Sequence, residues 1–181
     1  MQTDVSTYRH QDLELEGYVA APPAAEAPRP VVLVVHAWGG HDDFTRQKAE
    51  GLAELGYIGF AIDLYGKGRR GTSPEENAAL MQPFIDDRAM LRDRLGGAVH
   101  EARRLLGADP TRLAVIGFCF GGLCALDAAR AGLPGVRAVV SFHGLLGAPA
   151  IGEQALIGAR VLALHGWDDP LATPDAVRSF A

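Results

Sequence analysis

Five nearly unbroken apolar runs limit what this chain can fold into: residues 31–35, 58–62, 113–117, 136–142 and 161–164. None alternates apolar with polar positions, as a strand with one wet face would. They read as strands buried on both faces of a parallel sheet. Helical patterns fall between them, at 44–55 after the first run, 74–81 and 85–106 after the second, and 119–131 after the third. This β-α-β-α order predicts a single α/β domain over residues 1–181, a mostly parallel doubly wound sheet flanked by helices with right-handed crossovers. Residues 8–20 alternate around Leu13, Leu15, Tyr18 and Val19 and predict a small antiparallel edge element. Pro22, Pro23, Pro28 and Pro30 mark a linker ahead of the first buried strand.

Local punctuation agrees with this scheme. Ser73-Pro74-Glu75-Glu76 reads as a capping box with proline at the first helical position. Asp109-Pro110 is expected to close a helix before a strand, and Thr173-Pro174 to open another helix. Arg88, Arg92, Arg94, Arg103 and Arg104 read as the wet face of a long helix.

Bulk properties exclude several classes. The 181 residues are 48% hydrophobic and 22% charged, as in an ordinary globular protein. A net charge of −5 argues against a nucleic-acid footprint. Residues 1–17 lack the basic start and apolar core of a signal peptide, and no apolar run reaches membrane-spanning length. The two cysteines, Cys119 and Cys124, lie five apart on a predicted helix and point to different faces, so no disulfide is expected between them. A reactive thiol fits a reducing cytoplasm. The glycine-rich stretches lack a phosphate-loop lysine and a dinucleotide fingerprint, and His41-Asp42-Asp43 lacks ligand spacing. No cofactor and no metal are expected.

The candidate chemistry centres on Gly117-Phe118-Cys119-Phe120-Gly121-Gly122. It joins a strand-like run to a helix-like run, the setting of a nucleophile elbow with cysteine in place of serine. The turn would lift Sγ above the sheet, and the helix end would favour thiolate. The same residues also fit a glycine-rich turn around an inert buried cysteine. A nucleophile needs a base, a group orienting that base, and oxyanion donors. The acid is expected after the run 161–164, where His165-Gly166-Trp167-Asp168-Asp169-Pro170 offers Asp169, with Asp168 as the alternative. An Asp-Pro turn that merely caps a loop fits equally. The backbone N–H of Phe120 and that of Trp38, in His36-Ala37-Trp38-Gly39-Gly40, are the candidate oxyanion donors. The histidines are His10, His36, His41, His100, His143 and His165, and none follows Asp169, where an α/β-hydrolase would carry its base. His36, His143 and His165 end predicted strands; each is read as a hydrogen-bonded strand-end histidine unless it reaches Sγ. Lys67, Arg69 and Arg70 form a basic loop that either attracts a substrate carboxylate or stays solvated.

Taken in order, Val34-Val35-His36-Ala37-Trp38-Gly39-Gly40, Asp63-Leu64-Tyr65-Gly66, the elbow, Ser141-Phe142-His143-Gly144 and His165-to-Pro170 resemble the dienelactone hydrolase family over almost the whole chain. The resemblance implies an α/β-hydrolase that opens lactones or cleaves small carboxylic esters with a Cys-His-Asp triad. It implies Cys119 as nucleophile, Asp169 as acid, and oxyanion donors at Trp38 and Phe120. Two departures stand out. The family's oxyanion-loop glutamate is matched here by Ala37. Its histidine follows the last strand, so the resemblance implies a chain lacking the last strand and helix, with impaired activity. A non-catalytic small-molecule-binding homologue is the alternative.

Overall fold

The computed structural model describes residues 1–23, 27–152 and 156–180. Strands β1 (Gln2–His10) and β2 (Leu13–Ala21) open the chain, followed by β3 (Arg29–Val35), helix α1 (Asp43–Glu54) and β4 (Ile58–Ile62). Helices α2 (Pro74–Asp86) and α3 (Arg88–Ala102) lead to β5 (Ala108–Phe118), α4 (Phe120–Arg130) and β6 (Val136–Phe142). β7 (Arg160–Leu164) and α5 (Pro174–Phe180) complete the described elements. The strands form one sheet in the order β1-β2-β4-β3-β5-β6-β7. β3 to β7 run parallel, while β1 and β2 form an antiparallel hairpin against β4. The predicted α/β architecture is therefore present, with each of the five apolar runs forming a strand.

At β3 and β4 the sheet is covered on both faces, alternate side chains of a strand pointing opposite ways, whereas β7, expected to be buried on both faces, is largely exposed at the sheet edge. Val31, Leu33 and Val35 join α3 and α4 residues such as Leu91, Leu95, Leu123 and Cys124 in the main core. Val34 points to the other face and meets Ala49 and Ala53 of α1. All five residues of β4 are buried, as the unbroken run IGFAI requires.

Four local expectations need correction. The antiparallel edge element is two nine-residue strands rather than a short piece within 8–20. The single helix expected over 85–106 is broken at Asp87. Pro83 cannot donate within α2, and the Asp87 carboxylate accepts from Met90 N at 2.9 Å, starting α3 afresh. Asp109-Pro110 closes no helix; it sits inside β5, where the pairing with β3 shifts register between Arg29 and Val31. Ser73 caps α2 by accepting from Glu76 N at 3.2 Å, but the Glu76 carboxylate turns chiefly to Thr72, whose N and Oγ1 lie 2.7 Å away. The complete capping box stands at α1, where Asp42 and Thr45 exchange backbone and side-chain bonds. The linker expected between Pro22 and Pro30 includes residues 24–26, which lie outside the described residues.

The arginines of α3 do not form a uniformly wet face. Arg94 is only 8% exposed and donates to Leu64 O and to His10 Nδ1. Arg88 donates to buried Asp127 of α4 at 2.6 Å, and Arg130 meets the same carboxylate at 3.2 Å. Arg130 also donates to Leu146 O at 2.7 Å, so the Asp127 cluster ties α3, α4 and the segment after β6 together. Removing one member of a buried ion cluster leaves the others desolvated and unpaired. Asp127→Ala is expected to destabilise the fold by about 3 kcal/mol, read as a lower urea midpoint at unchanged slope. A loss under about 1 kcal/mol would show that the cluster behaves like a surface pair.

Candidate active site

The parallel strands end level at one edge. Val35 pairs with Ile62 and with Gly117, Gly117 with Ser141, and Ser141 with Ala163. Loops leaving these ends therefore lie along one edge of the sheet, the usual ligand position of an open α/β sheet. Cys119 sits between β5 and α4. Its φ of 57° and ψ of −116° lie in a region costly for a residue with a side chain. Its N–H donates to Phe142 O at 3.0 Å, which anchors the turn on β6. The flanking glycines are required by close approach. A Cβ on Gly117 would strike Gly121 O, and one on Gly121 would lie 2.7 Å from His36 O and nearer still to Val35 O.

That contact presses the start of α4 against the end of β3 and brings the loop 36–40 beside Cys119. Trp38 lies three residues past Val35 and Phe120 three past its ladder partner Gly117. The first N–H groups of a helix lack intrahelical acceptors, and the Cys119 side chain does not cap α4. The N–H of Trp38 has no acceptor among the described residues. Cys119 as a residue is half-buried, and its Sγ has no hydrogen-bond partner among the described residues. Cys124, by contrast, is fully buried, and burial pushes its thiol well up, Asp127 adding to the effect.

The histidines divide clearly. His36 is 1% exposed; Nδ1 donates to Ala37 O at 2.7 Å, and Nε2 accepts from Leu64 N at 3.2 Å. Both nitrogens are thus engaged away from Sγ. His143 has φ 43° and an exposed side chain, and its N–H donates to Leu164 O at 2.8 Å. His165 Nε2 meets Ala172 O at 2.8 Å, while its buried Nδ1 has no partner. Among the described residues no histidine nitrogen bonds to Sγ, in line with the strand-end reading.

Asp169 is half-buried and Asp168 exposed. The Asp169 carboxylate accepts from Leu171 N at 2.8 Å, an Asx turn that shapes its own loop. The basic loop is also engaged locally. Lys67 pairs with Glu14 at 3.1 Å and Glu16 at 3.3 Å, and Arg69 donates to Tyr65 O at 3.1 Å. Asp42 is used as the α1 cap, and no group of three or more His, Cys, Asp or Glu gathers as a metal cluster among the described residues.

Sequence reasoning passed over Tyr65 as a participant, although it lies in the quoted Asp63-Leu64-Tyr65-Gly66. Its hydroxyl donates to Trp38 O at 2.9 Å. Its ring stacks on Phe120, centroids 6.1 Å apart at 20°. Ala37 contributes backbone contacts: its carbonyl accepts from His36 and from Gly40 N.

The model of the dienelactone hydrolase family matches residues 15–181. The chain belongs to the dienelactone hydrolase family. The Yersinia pestis protein named "Putative carboxymethylenebutenolidase" is 32% identical over 180 residues, covering 91% of this chain and 64% of the relative. A Bradyrhizobium protein named "Probable 2-oxo-3-(5-oxofuran-2-ylidene)propanoate lactonase" is 32% identical over 127 residues, covering 70% of this chain and 50% of the relative. A solved dienelactone hydrolase-like promiscuous phosphotriesterase from metagenomic libraries superposes with a TM-score of 0.92 at 30% identity, covering 98% of this chain and 73% of that one. The chain thus spans half to two thirds of the length of those curated relatives. Among the described residues no helix is long and apolar enough to cross a membrane.

The loop after β3 also carries a pH signature. Burial, with nearby His36, pushes the His41 imidazole down to about 4 from an ordinary 6.5, and burial lowers His36 as well. Both rings are neutral in the folded chain at neutral pH. A proton on His36 Nε2 would face the Leu64 N–H it now accepts. The unfolded chain takes up protons below about pH 6.5 that the folded form refuses, so stability falls with pH until about pH 4. His41→Gln should make the loss between about pH 7 and pH 4.5 shallower, by on the order of 2 kcal/mol, in denaturation titrations. An unchanged slope would remove His41 from this account.

Proposed function

We propose that this protein is a hydrolase of lactones or small carboxylic esters that works through a Cys119 nucleophile. The observation that carries this reading is the strained Cys119 at the strand-to-helix turn, with unpaired N–H donors from the oxyanion loop and from the helix start beside it. Family membership supports the reaction class, and the names of the relatives are those of lactone-opening enzymes. In this mechanism the thiolate attacks the ester or lactone carbonyl. The N–H groups of Trp38 and Phe120 bind the oxyanion, which is stronger hydrogen-bonding work in the transition state than in the ground state. The acyl C–O bond then breaks, the alkoxide taking the proton that the base histidine removed from Sγ and leaving a thioester; water, deprotonated by the same histidine, cleaves the thioester to the acid and the thiol is restored.

Asp169 is the proposed acid, orienting a histidine supplied from outside residues 1–181. The engagement of His36 and His165 with backbone carbonyls supports this assignment. Residues 1–181 alone should then be slow, because a thiol without its base retains only binding and oxyanion stabilisation. Substrate is a small molecule; neither nucleic acid nor membrane enters the reading, and the proposed compartment is the cytoplasm. A non-catalytic binder of small molecules is the second reading, favoured by the lack of any histidine bond to Sγ among the described residues.

The test is p-nitrophenyl acetate hydrolysis by residues 1–181 and by Cys119→Ala. The expected result is a slow release of p-nitrophenol, with an acetylated Cys119 seen by mass spectrometry, both lost in the variant. Release that survives Cys119→Ala would overturn the nucleophile. Brisk turnover lost in Cys119→Ala would overturn the outside base and turn attention to His143 and His165. No acetylation at all would favour the binder.

A further inference from the structure

We infer that the Tyr65 hydroxyl is a latch on the oxyanion loop, making Tyr65 a positioning residue for acyl transfer at Cys119. The inference rests on the proposed role of Cys119 and adds a residue to it. The peptides on either side of Trp38 are each pinned. The Ala37 carbonyl accepts from His36 Nδ1 at 2.7 Å and from Gly40 N at 3.2 Å. In a trans peptide the Trp38 N–H then points the opposite way from that carbonyl. The next carbonyl, that of Trp38, accepts from Tyr65 Oη at 2.9 Å. Two fixed peptides leave Trp38 no freedom to rotate its N–H out of line.

The indole cannot provide this restraint, since Trp38 is 37% exposed. Tyr65 is well suited to it. It is 2% exposed and packs edge-on against His36, centroids 4.7 Å apart. Its backbone is held by Asp63 Oδ1, which accepts from Tyr65 N at 2.8 Å, and by Arg69, which donates to Tyr65 O. Its ring stacks on Phe120, the residue bearing the other candidate donor. One side chain therefore touches both halves of the proposed oxyanion hole. Burial, then the thiols of Cys124 and Cys119, raise its hydroxyl above the ordinary tyrosine range, so it remains a donor at any working pH. Core packing alone would be served by phenylalanine, whereas a buried hydroxyl is tolerated only with a partner.

Two reagents separate this role from packing. Acylation of Cys119 by p-nitrophenyl acetate passes through an oxyanion; alkylation by iodoacetamide is a displacement at carbon and does not. Tyr65→Phe should lower the acylation rate constant about 10- to 100-fold while alkylation stays within about twofold. Phe84→Leu keeps the hydroxyl but loosens the ring neighbour 5.7 Å away, and should leave the ratio of the two rates unchanged. Alkylation of buried Cys124, seen as a second mass increment, reports any opening of the fold. An unchanged ratio in Tyr65→Phe overturns the latch while leaving the nucleophile standing. A fall in Phe84→Leu of the size expected for Tyr65→Phe also overturns it, and decides the matter even if Tyr65→Phe opens. Wild-type protein that is alkylated but never acylated overturns the nucleophile and the latch together.

Discussion

The start of α4 lies against the end of β3 with no space for a side chain between them. Gly121 permits this, because a Cβ there would run into the carbonyls of Val35 and His36. That contact fixes how far the loop 36–40, which carries Trp38, stands from the helix start, which carries Phe120. Gly117 completes the arrangement by leaving room for Gly121 O. The strained backbone of Cys119 is then enforced by neighbours on both sides, through the strand pairing of Phe118 with Phe142 and the bond from Cys119 N to Phe142 O. Such strain persists only where surrounding packing over-determines it.

Polar burial in this fold serves the same edge of the sheet. Asp63 is 3% exposed, and its carboxylate takes the N–H groups of Glu16, Tyr65 and Gly66. Arg94 reaches across from α3 to the Leu64 carbonyl. His36 takes the Leu64 N–H and holds Ala37. Each of these three groups is paired with backbone of a loop that leaves a strand end, which satisfies the backbone and removes the loop's freedom together. The turn after β4 is thereby tied down by several buried groups, and through Tyr65 it meets the loop 36–40.

The sequence made the central parallel strands legible because burial on both faces demands unbroken apolar runs, which need no knowledge of partners; β7 carries such a run although it is largely exposed. The sequence made the elbow legible because a tight strand-to-helix turn leaves a local signature of glycines. What depended on distant partners was hidden. Arg88 and Arg94 look like exposed helix arginines until Asp127 and Leu64 O, far away in sequence, are brought to them. The first half of β1 is polar and exposed, so its strand character comes from pairing with β2 rather than from any pattern of its own. The break at Asp87 follows from a cap whose proline signal lies four residues earlier. Trp38, Cys119 and Phe120 could be placed at one edge by the rule that loops follow strand ends. The link from Tyr65 to Trp38 could not, because a tyrosine in a buried loop gives no sign of where its hydroxyl points.

The candidate groups are not held with equal firmness. Cys119 and the loop 36–40 stand on β3, β5 and α4, whose side chains help to fill the main core. Asp169 stands beyond β7, the edge strand, where Val161 is 39%, Leu162 51% and Leu164 44% exposed. Its loop is fastened by a smaller cluster, in which Ala172 packs with Leu126 and Leu146, and by the bond from His165 to Ala172 O. Local opening costs least where few apolar contacts are lost. The proposed nucleophile and acid would need a fixed relation for attack to be efficient, since small misplacements are costly in rate. The precision of any triad built on Asp169 is set by the packing around β7.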